Sequence, residues 1–473
     1  MGDFARAVLV VFDWVILGYF ALVNTVYLLL LLSAAWEMRD HLLVGRGERR
    51  WRVLQSDVAP TISVLAPAHN EASTIAGSVA AMLGLAYPNL EVVVVNDGSS
   101  DETLPTLIES FDLVPVHPVF RRLVETAPVT GLYRSRSHPH LVVVDKEKGG
   151  KADALNAGLN LAAGQLVCAV DADTIIEPDA MQRMVRPFLT RDDVVAAGGT
   201  IRIVNGSEVV HGRVTTLRFP RQALAGFQVV EYLRAFLFGR LGWNRLGGNL
   251  IISGAFGLFD RQATADAGGY ADDTVGEDME LVVRLRRRSL EQKDPKRISF
   301  IPDPVAWTEA PDSLRMLGRQ RDRWHRGLSE VLRRHRGMFL NPRYRATGLI
   351  VYPYFVLVEL LAPVVETLGL LGMAAGVVLG AVDISFAALF FLVAYGLGIV
   401  QATLTLALEE LSFHRYERLR DRTLMIFWAV FENLGYRQLT VWWRLRGMWK
   451  FLRKRSDWGA MQRRGFAPPP ASS

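Results

Sequence analysis

Asp171 and Asp173 stand two residues apart at the end of the apolar run Leu166–Val170. On a strand, side chains at i and i+2 share a face, so both carboxylates leave the strand's C-terminal end together. Hard oxygen ligands so paired suit Mg²⁺ or Mn²⁺, which one or two carboxylates commonly hold together with substrate phosphates; the spacing therefore points to a bound nucleoside diphosphate. Asp-x-Asp alone serves equally as a solvated turn, and its company gives it meaning. Asn96-Asp97-Gly98 follows a valine-rich run, Lys151 lies in Gly149-Gly150-Lys151-Ala152-Asp153, and Gly276-Glu277-Asp278 comes later. The lysine loop is not a Walker loop, because Asp145 replaces its first glycine and Ala152 replaces the Mg²⁺-binding Ser/Thr. No His-Glu-x-x-His, paired cysteines or Gly-x-Ser-x-Gly is present, which removes zinc hydrolysis and serine esterase chemistry.

These residues need elements to position them. Apolar runs at 62–66, 91–95, 141–144 and 166–170 read as strands, and 73–85 and 152–162 as helices. Ser99 and Glu102 have capping-box spacing, which predicts a helix start there. The stretch 103–140 carries no clear pattern. Strand and helix alternating across short turns indicates a mostly parallel sheet, and such sheets bind ligands beyond the carboxyl ends of their strands. Asp97, Lys151, Asp171 and Asp173 all fall there. Residues 253–257 are small enough to bring backbone close to a bound chain.

The chain has 473 residues, half of them hydrophobic (50%), with 54 basic and 48 acidic residues and a net charge of +6. Residues 7–36 form one apolar stretch interrupted by Asp13 and Asn24, longer than a membrane crossing needs. It lacks the basic start and cleavage site of a signal peptide and reads as a retained anchor. Arg39, Arg46, Arg49, Arg50 and Arg52 follow it, so the positive-inside rule puts the large domain in the cytoplasm. A second apolar tract predicts crossings at 346–381 and 384–408. Residues 423–443 carry Glu432 and Arg437 in mid-segment, which favours an interfacial or embedded helix over a span. Arginines mixed with aromatics at 211–250, and the pattern at 312–336, predict interfacial helices. Basic clusters such as Arg319 to Arg323 and Arg453 to Arg455 suit anionic lipid, and no basic stripe with interleaved aromatics indicates nucleic acid.

Gln320, Arg323 and Trp324 share a helix face by their i, i+3, i+4 spacing. An interfacial helix with a snorkelling arginine satisfies that spacing too. Joined in order to the four motifs above, Gln-x-x-Arg-Trp makes the soluble domain and the next helix resemble the processive family-two glycosyltransferases, the group of cellulose, hyaluronan and poly-N-acetylglucosamine synthases. The resemblance implies an α/β fold of GT-A type, a mostly parallel sheet flanked by helices, with interfacial helices and transmembrane helices at both ends. The expected division is an N-terminal transmembrane helix (1–40), a cytoplasmic catalytic domain (52–310), an interfacial motif helix (311–345), a C-terminal membrane region (346–445) and a cytoplasmic tail (446–473).

The same resemblance implies roles. Asp97 would accept a hydrogen bond from the uracil or ribose of a UDP-sugar, Lys151 would offset diphosphate charge, and Asp153 would help hold the nucleotide. Asp171 would touch donor ribose or sugar, and Asp173 would ligate Mg²⁺ or Mn²⁺. Asp278 would be the general base of an inverting transfer, although acidic residues also favour helix N-termini. Where the family has Thr or another small polar residue this chain has Gly276, which removes a supporting hydrogen bond. Arg323 would neutralise diphosphate, Gln320 would bond donor or acceptor, and Trp324 would stack on the acceptor sugar. His325 and Arg326 depart from several relatives. The expectation is an enzyme of the inner (plasma) membrane, multi-pass, that extends a β-linked polysaccharide from a UDP-sugar and passes it into the membrane tract. Its partners would be donor, polysaccharide acceptor, membrane lipid and, given few crossings, a partner subunit or second copy. One rival adds a single sugar to a lipid or protein acceptor; another uses the fold without catalysis.

Overall fold

A computed structural model describes residues 3–47, 59–171, 174–210 and 212–453. Asp173 and the arginines at 49, 50 and 52 lie outside them. The described residues divide into two units, one within 43–218 and 249–310, the other within 3–42, 219–248 and 311–453. Residues 219–248, inside the span expected for the catalytic domain, thus belong with the helices.

The first unit is built on β1 (Ile62–Ala68), β2 (Leu90–Asp97), β3 (Leu113–Val116), β4 (Val129–Ser135), β5 (Leu141–Lys146), β6 (Leu166–Val170), β7 (Ile175–Ile176), β8 (Val194–Ile203), β9 (Glu208–Val210), β10 (Arg213–Thr216), β11 (Phe256–Asp260) and β12 (Arg297–Thr308). Ten of these strands form one sheet in the order β3-β4-β5-β2-β1-β6-β11-β8-β12-β7, while β9 and β10 pair separately. The block β5-β2-β1-β6 is parallel throughout, and β4, β11 and β7 run against the other strands of the sheet. Continuous valine runs suit the central strands because both their faces are covered. The helix Lys151–Leu161 packs Ala154, Leu155 and Ala157 into a core with Leu65, Val93, Val95 and Val144.

Two local readings of the sequence change. The stretch without clear pattern holds β3 and β4, an edge pair whose short length, Pro115 and half-exposed faces leave no long apolar run. The Ser99/Glu102 box does not form: the helix begins at Thr103, and Asp101 Oδ1 accepts from the Thr103 amide at 3.1 Å, while Ser99 Oγ accepts from the Asn70 amide at 3.0 Å. The helix's N-cap residue is Glu102, which makes no side-chain capping bond.

In the helical unit, Arg6–Leu43 and Ile384–Phe413 are long and apolar enough to cross a membrane. Residues 347–360 and 362–378, expected as one crossing, bend by 48° at their junction. Pro363 sits in the first turn of the second piece, where its missing N–H costs no helical bond. Residues 423–443 are not one helix. Leu419–Phe431 and Arg437–Leu452 meet at a break where Gly435 has φ +88°. The charges there find partners inside the unit: Glu432 pairs with Arg234, and Arg437 Nε lies 2.9 Å from Glu366 Oε1. Ionisable groups at such positions persist when paired.

Candidate active site

Asp97 ends β2, and parallel register sets it beside Lys146 at the end of β5. Lys146 is fully buried, with Nζ 2.7 Å from Asp97 Oδ1 and 2.7 Å from Asp153 Oδ2. The Gly149 and Gly150 amides each donate to Asp97 at 2.8 Å. Gly150, at φ +93°, turns the chain into the helix that Lys151 begins. A Cβ on Gly149 would stand 2.4 Å from Asp153 Oδ2, so the loop can lie over that carboxylate only as glycine. Asp153 Oδ1 also accepts from the Ala127 amide at 2.9 Å. One buried cation and two carboxylates thus clamp the glycine loop, and they set where Lys151 starts.

Beyond the loop, Lys151 Nζ lies 2.6 Å from Asp171 Oδ1 and 3.6 Å from Glu277 Oε1, and donates to the Gly254 carbonyl at 3.2 Å. Burial opposes the lysine's charge, but Asp171, Glu277 and Asp278 hold its ammonium above the ordinary lysine range. Burial pushes the Glu277 carboxyl up; Lys151 pulls it back, Asp278 and Asp171 add to the push, and the net is upward. Glu277 and Asp278 open the helix Glu277–Glu291. The Gly276 amide that precedes them donates to Thr274 Oγ1 at 3.2 Å, so a threonine two residues earlier supports this turn. Lys151, Ser253, Gly254, Tyr270, Glu277 and Asp278 line one cleft, floored by Leu155, Ala169 and Phe259. A Cβ at 254 would lie 2.9 Å from Asp278 Oδ2, so the glycine leaves that carboxylate its present place. Gly254 therefore leaves room for a carboxylate, and the chain enters β11 at Phe256.

Asp97, Asp153, Lys151, Asp171 and Asp278 are accordingly brought into one linked constellation, and Asp173 lies outside the described residues. Two members were missed from the sequence. Lys146 comes two residues after the apolar run 141–144, and a charged residue in register with Asp97 is its signal. Glu277 lay inside a recognised motif but was given no role. Among the described residues no group of three or more His, Cys, Asp or Glu side chains is arranged to hold a metal. The hard carboxylate oxygens of Asp171 suit a cation that completes its shell with phosphate oxygens.

In the helical unit, the motif helix Leu314–Arg334 starts at Ser313, whose hydroxyl accepts from the Met316 amide. Gln320, Arg323 and Trp324 share its outer face, with Trp324 45% exposed, whereas Arg321, Asp322, His325 and Arg326 are buried. Arg321, grouped on sequence with lipid-attracted charges, turns inward to Glu231 at 2.6 Å. Asp322 Oδ2 takes Arg446 Nε at 3.1 Å and Lys450 Nζ at 2.5 Å. Burial, reinforced by the nearby Arg444 charge, pushes the His325 imidazole down to about 3.

Residues 59–327, more than half of the chain, match the family described as "Glycosyltransferase like family 2", and the chain belongs to that family. Two particular relatives indicate which branch of that family it is similar to. It is 29% identical over 274 residues to the poly-beta-1,6-N-acetyl-D-glucosamine synthase of Staphylococcus aureus (strain COL), covering 58% of this chain and 56% of that one. The synthase of the same name from Staphylococcus epidermidis is 29% identical over 273 residues, with the same coverage. The matched part therefore spans about half the length of these relatives. In fold, the chain is similar to a mannosyltransferase from Pyrobaculum calidifontis solved with GDP-Man and Mn²⁺, at 20% identity and a TM-score of 0.51, over 89% of this chain and 99% of that one.

Proposed function

We propose that the protein is an inverting, metal-dependent synthase of the inner membrane, multi-pass with its α/β unit in the cytoplasm, that extends a β-linked polysaccharide from a UDP-sugar. UDP-N-acetylglucosamine is the first donor to test, from the names of the staphylococcal relatives. The observation that carries the reading is Asp278 in one cleft with Lys151 and Glu277, Lys151 pairing in turn with Asp171, and a glycine at 254 leaving the Asp278 carboxylate room.

Asp278 takes the proton of the acceptor hydroxyl as that oxygen attacks the anomeric carbon from the face opposite the diphosphate, which inverts the centre. Lys151, whose ammonium pairs with Asp171 and Glu277 in this structure, exchanges those partners for the arriving diphosphate. Asp171 then turns to the donor's ribose or sugar. Asp97 keeps lone pairs beyond those used by the glycine amides and Lys146, and one accepts from uracil or ribose. Asp153 contributes to nucleotide binding through Lys146 and the loop it clamps. Mg²⁺ or Mn²⁺ on Asp173, when bound, stabilises negative charge on the departing diphosphate. Gln320 and Trp324 bind acceptor, and Arg323 offsets phosphate charge. Passage of product into the membrane tract, and a partner subunit or second copy, complete the proposal.

The test is transfer by detergent-purified full-length protein supplied with UDP-N-acetylglucosamine or UDP-glucose and Mg²⁺, with product sizing and linkage analysis. Polymer from the wild type and a loss of roughly 10²- to 10⁴-fold in Asp278→Asn are expected. A single-sugar product would replace the synthase reading with simple transfer, and an Asp278→Asn variant at full rate would remove the base.

A further inference from the structure

The motif helix carries one residue for which the reaction above has no use. Arg321 stands between Gln320 and Trp324 in the chain's functional motif, yet its side chain is buried. Its Nη2 donates to Glu231 Oε2 at 2.6 Å, and the same oxygen accepts from the Tyr436 hydroxyl at 2.6 Å. The other arm, Nη1, donates to Gln320 Oε1 at 2.9 Å. The guanidinium carbon lies 4.3 Å from the centre of the Trp324 ring, and Tyr232, next to Glu231, sets its own ring 6.3 Å from the same indole.

A planar guanidinium with donors in a fixed fork can hold a carboxylate, an amide oxygen and an indole face at once; a lysine's point charge cannot. Gln320 is thereby oriented: with its carbonyl oxygen committed to Arg321, its amide NH₂ is the end left to bond a ligand oxygen. Trp324, half exposed, has its ring held on the cation. Tyr436 follows the Gly435 break directly, so Glu231 ties the geometry of that break to the motif helix.

We infer that Arg321, fixed by Glu231 and Tyr436, is a positioning residue that aims the Gln320 amide and the Trp324 ring at the acceptor saccharide. The inference rests on the proposed acceptor role of those two side chains. Only the acceptor side of the reaction then depends on it.

The experiment uses full-length protein in detergent and a β-1,6-linked N-acetylglucosamine pentamer as probe, reading pentamer affinity by equilibrium titration and the KM for pentamer and for UDP-N-acetylglucosamine by transfer. Arg321→Lys is expected to weaken pentamer binding by about 3- to 30-fold, the worth of a cation–π contact plus a neutral hydrogen bond. The donor KM is expected to stay within about twofold. Tyr436→Phe, which removes one bond to Glu231, is expected to move pentamer affinity in the same direction by less. Asp322→Asn is the control, since it loosens the same helix from Arg446 and Lys450 without touching Gln320 or Trp324. An equal pentamer shift in Asp322→Asn would reduce Arg321 to helix docking and overturn the inference. Equal pentamer affinity in wild type and Arg321→Lys overturns it whatever the transfer activity, whereas wild-type protein that binds pentamer but transfers nothing overturns the proposed function alone.

Discussion

Replacing Gly254 by alanine tests the catalytic arrangement with one methyl group. The new Cβ would stand 2.9 Å from Asp278 Oδ2, 3.3 Å from Cγ and 3.4 Å from Cβ, where ordinary contact begins at 3.4 Å. The carboxylate oxygen must therefore yield by roughly 0.5 Å, which an aspartate achieves by turning about its side-chain torsions at about 0.5–1.5 kcal/mol. Gly254 is not among the glycines of positive φ, so its backbone accepts alanine, and the stiffer unfolded chain returns about 0.4–1 kcal/mol. The two terms nearly cancel, and the melting temperature is expected to hold within about 2 °C. Catalysis has no such compensation, because a reacting group must sit within about 0.5 Å of its productive place and a misplacement of about 1 Å costs about 10²-fold. We expect kcat to fall by about 10- to 100-fold, roughly 1.4–2.7 kcal/mol of barrier, with the donor KM little changed. Steady-state transfer from UDP-N-acetylglucosamine alongside thermal unfolding measures both quantities. In an Asp278→Asn background the same methyl should cost less than about threefold, since the group it displaces has already lost its role. A Gly254→Ala enzyme with wild-type kcat would refute the placement of the base, as would a full additive loss in the double variant.

Lys146→Met keeps the stem but strips the charge from between Asp97 and Asp153, leaving two buried carboxylates without their cation; a loss of about 3–5 kcal/mol in unfolding stability is expected, and a variant as stable as wild type would contradict the clamp. His325 titrates near 3 when folded, against an ordinary value of 6.5, so the unfolded chain binds the extra proton between those values. Its contribution to stability is present above pH 6.5 and is lost as pH falls toward 3, at up to about 1.4 kcal/mol per pH unit; His325→Gln should flatten the acid limb of a melting-temperature profile, and an unchanged limb would show that the imidazole takes no part. Chelation with EDTA is expected to lower transfer by at least about 10²-fold, with recovery on adding Mn²⁺ or Mg²⁺, and full activity in chelator would remove the metal from the reaction.

The local part of the site was legible because strand periodicity places residues at strand ends without reference to the rest of the chain. Asp97, Lys151 and Asp171 could be set at carboxyl ends from the apolar runs preceding them, and Gln320, Arg323 and Trp324 on one helix face from spacing alone. Edge strands β3 and β4 escaped because one covered face demands no continuous apolar run, and the start of the next helix shifted to Thr103 because the Ser99 hydroxyl is engaged by the Asn70 amide of a distant turn. Composition marked both apolar helices, but it could not see the bend before Pro363 or the break at Gly435, which depend on where single residues fall against their neighbours.

By itself, then, the order of residues determined the family, the chemistry of the side chains offered at strand ends, and which stretches are apolar enough for a membrane. Tertiary structure alone decided which charge answers which: that Lys146 neutralises Asp97 and Asp153, that Gly254 stands aside for Asp278, and that Arg321 turns away from solvent to Glu231. Periodicity is a property of neighbours along the chain, whereas electrostatic partners are chosen by proximity in space, across separations of 49 residues for Lys146 and Asp97 and 90 for Arg321 and Glu231.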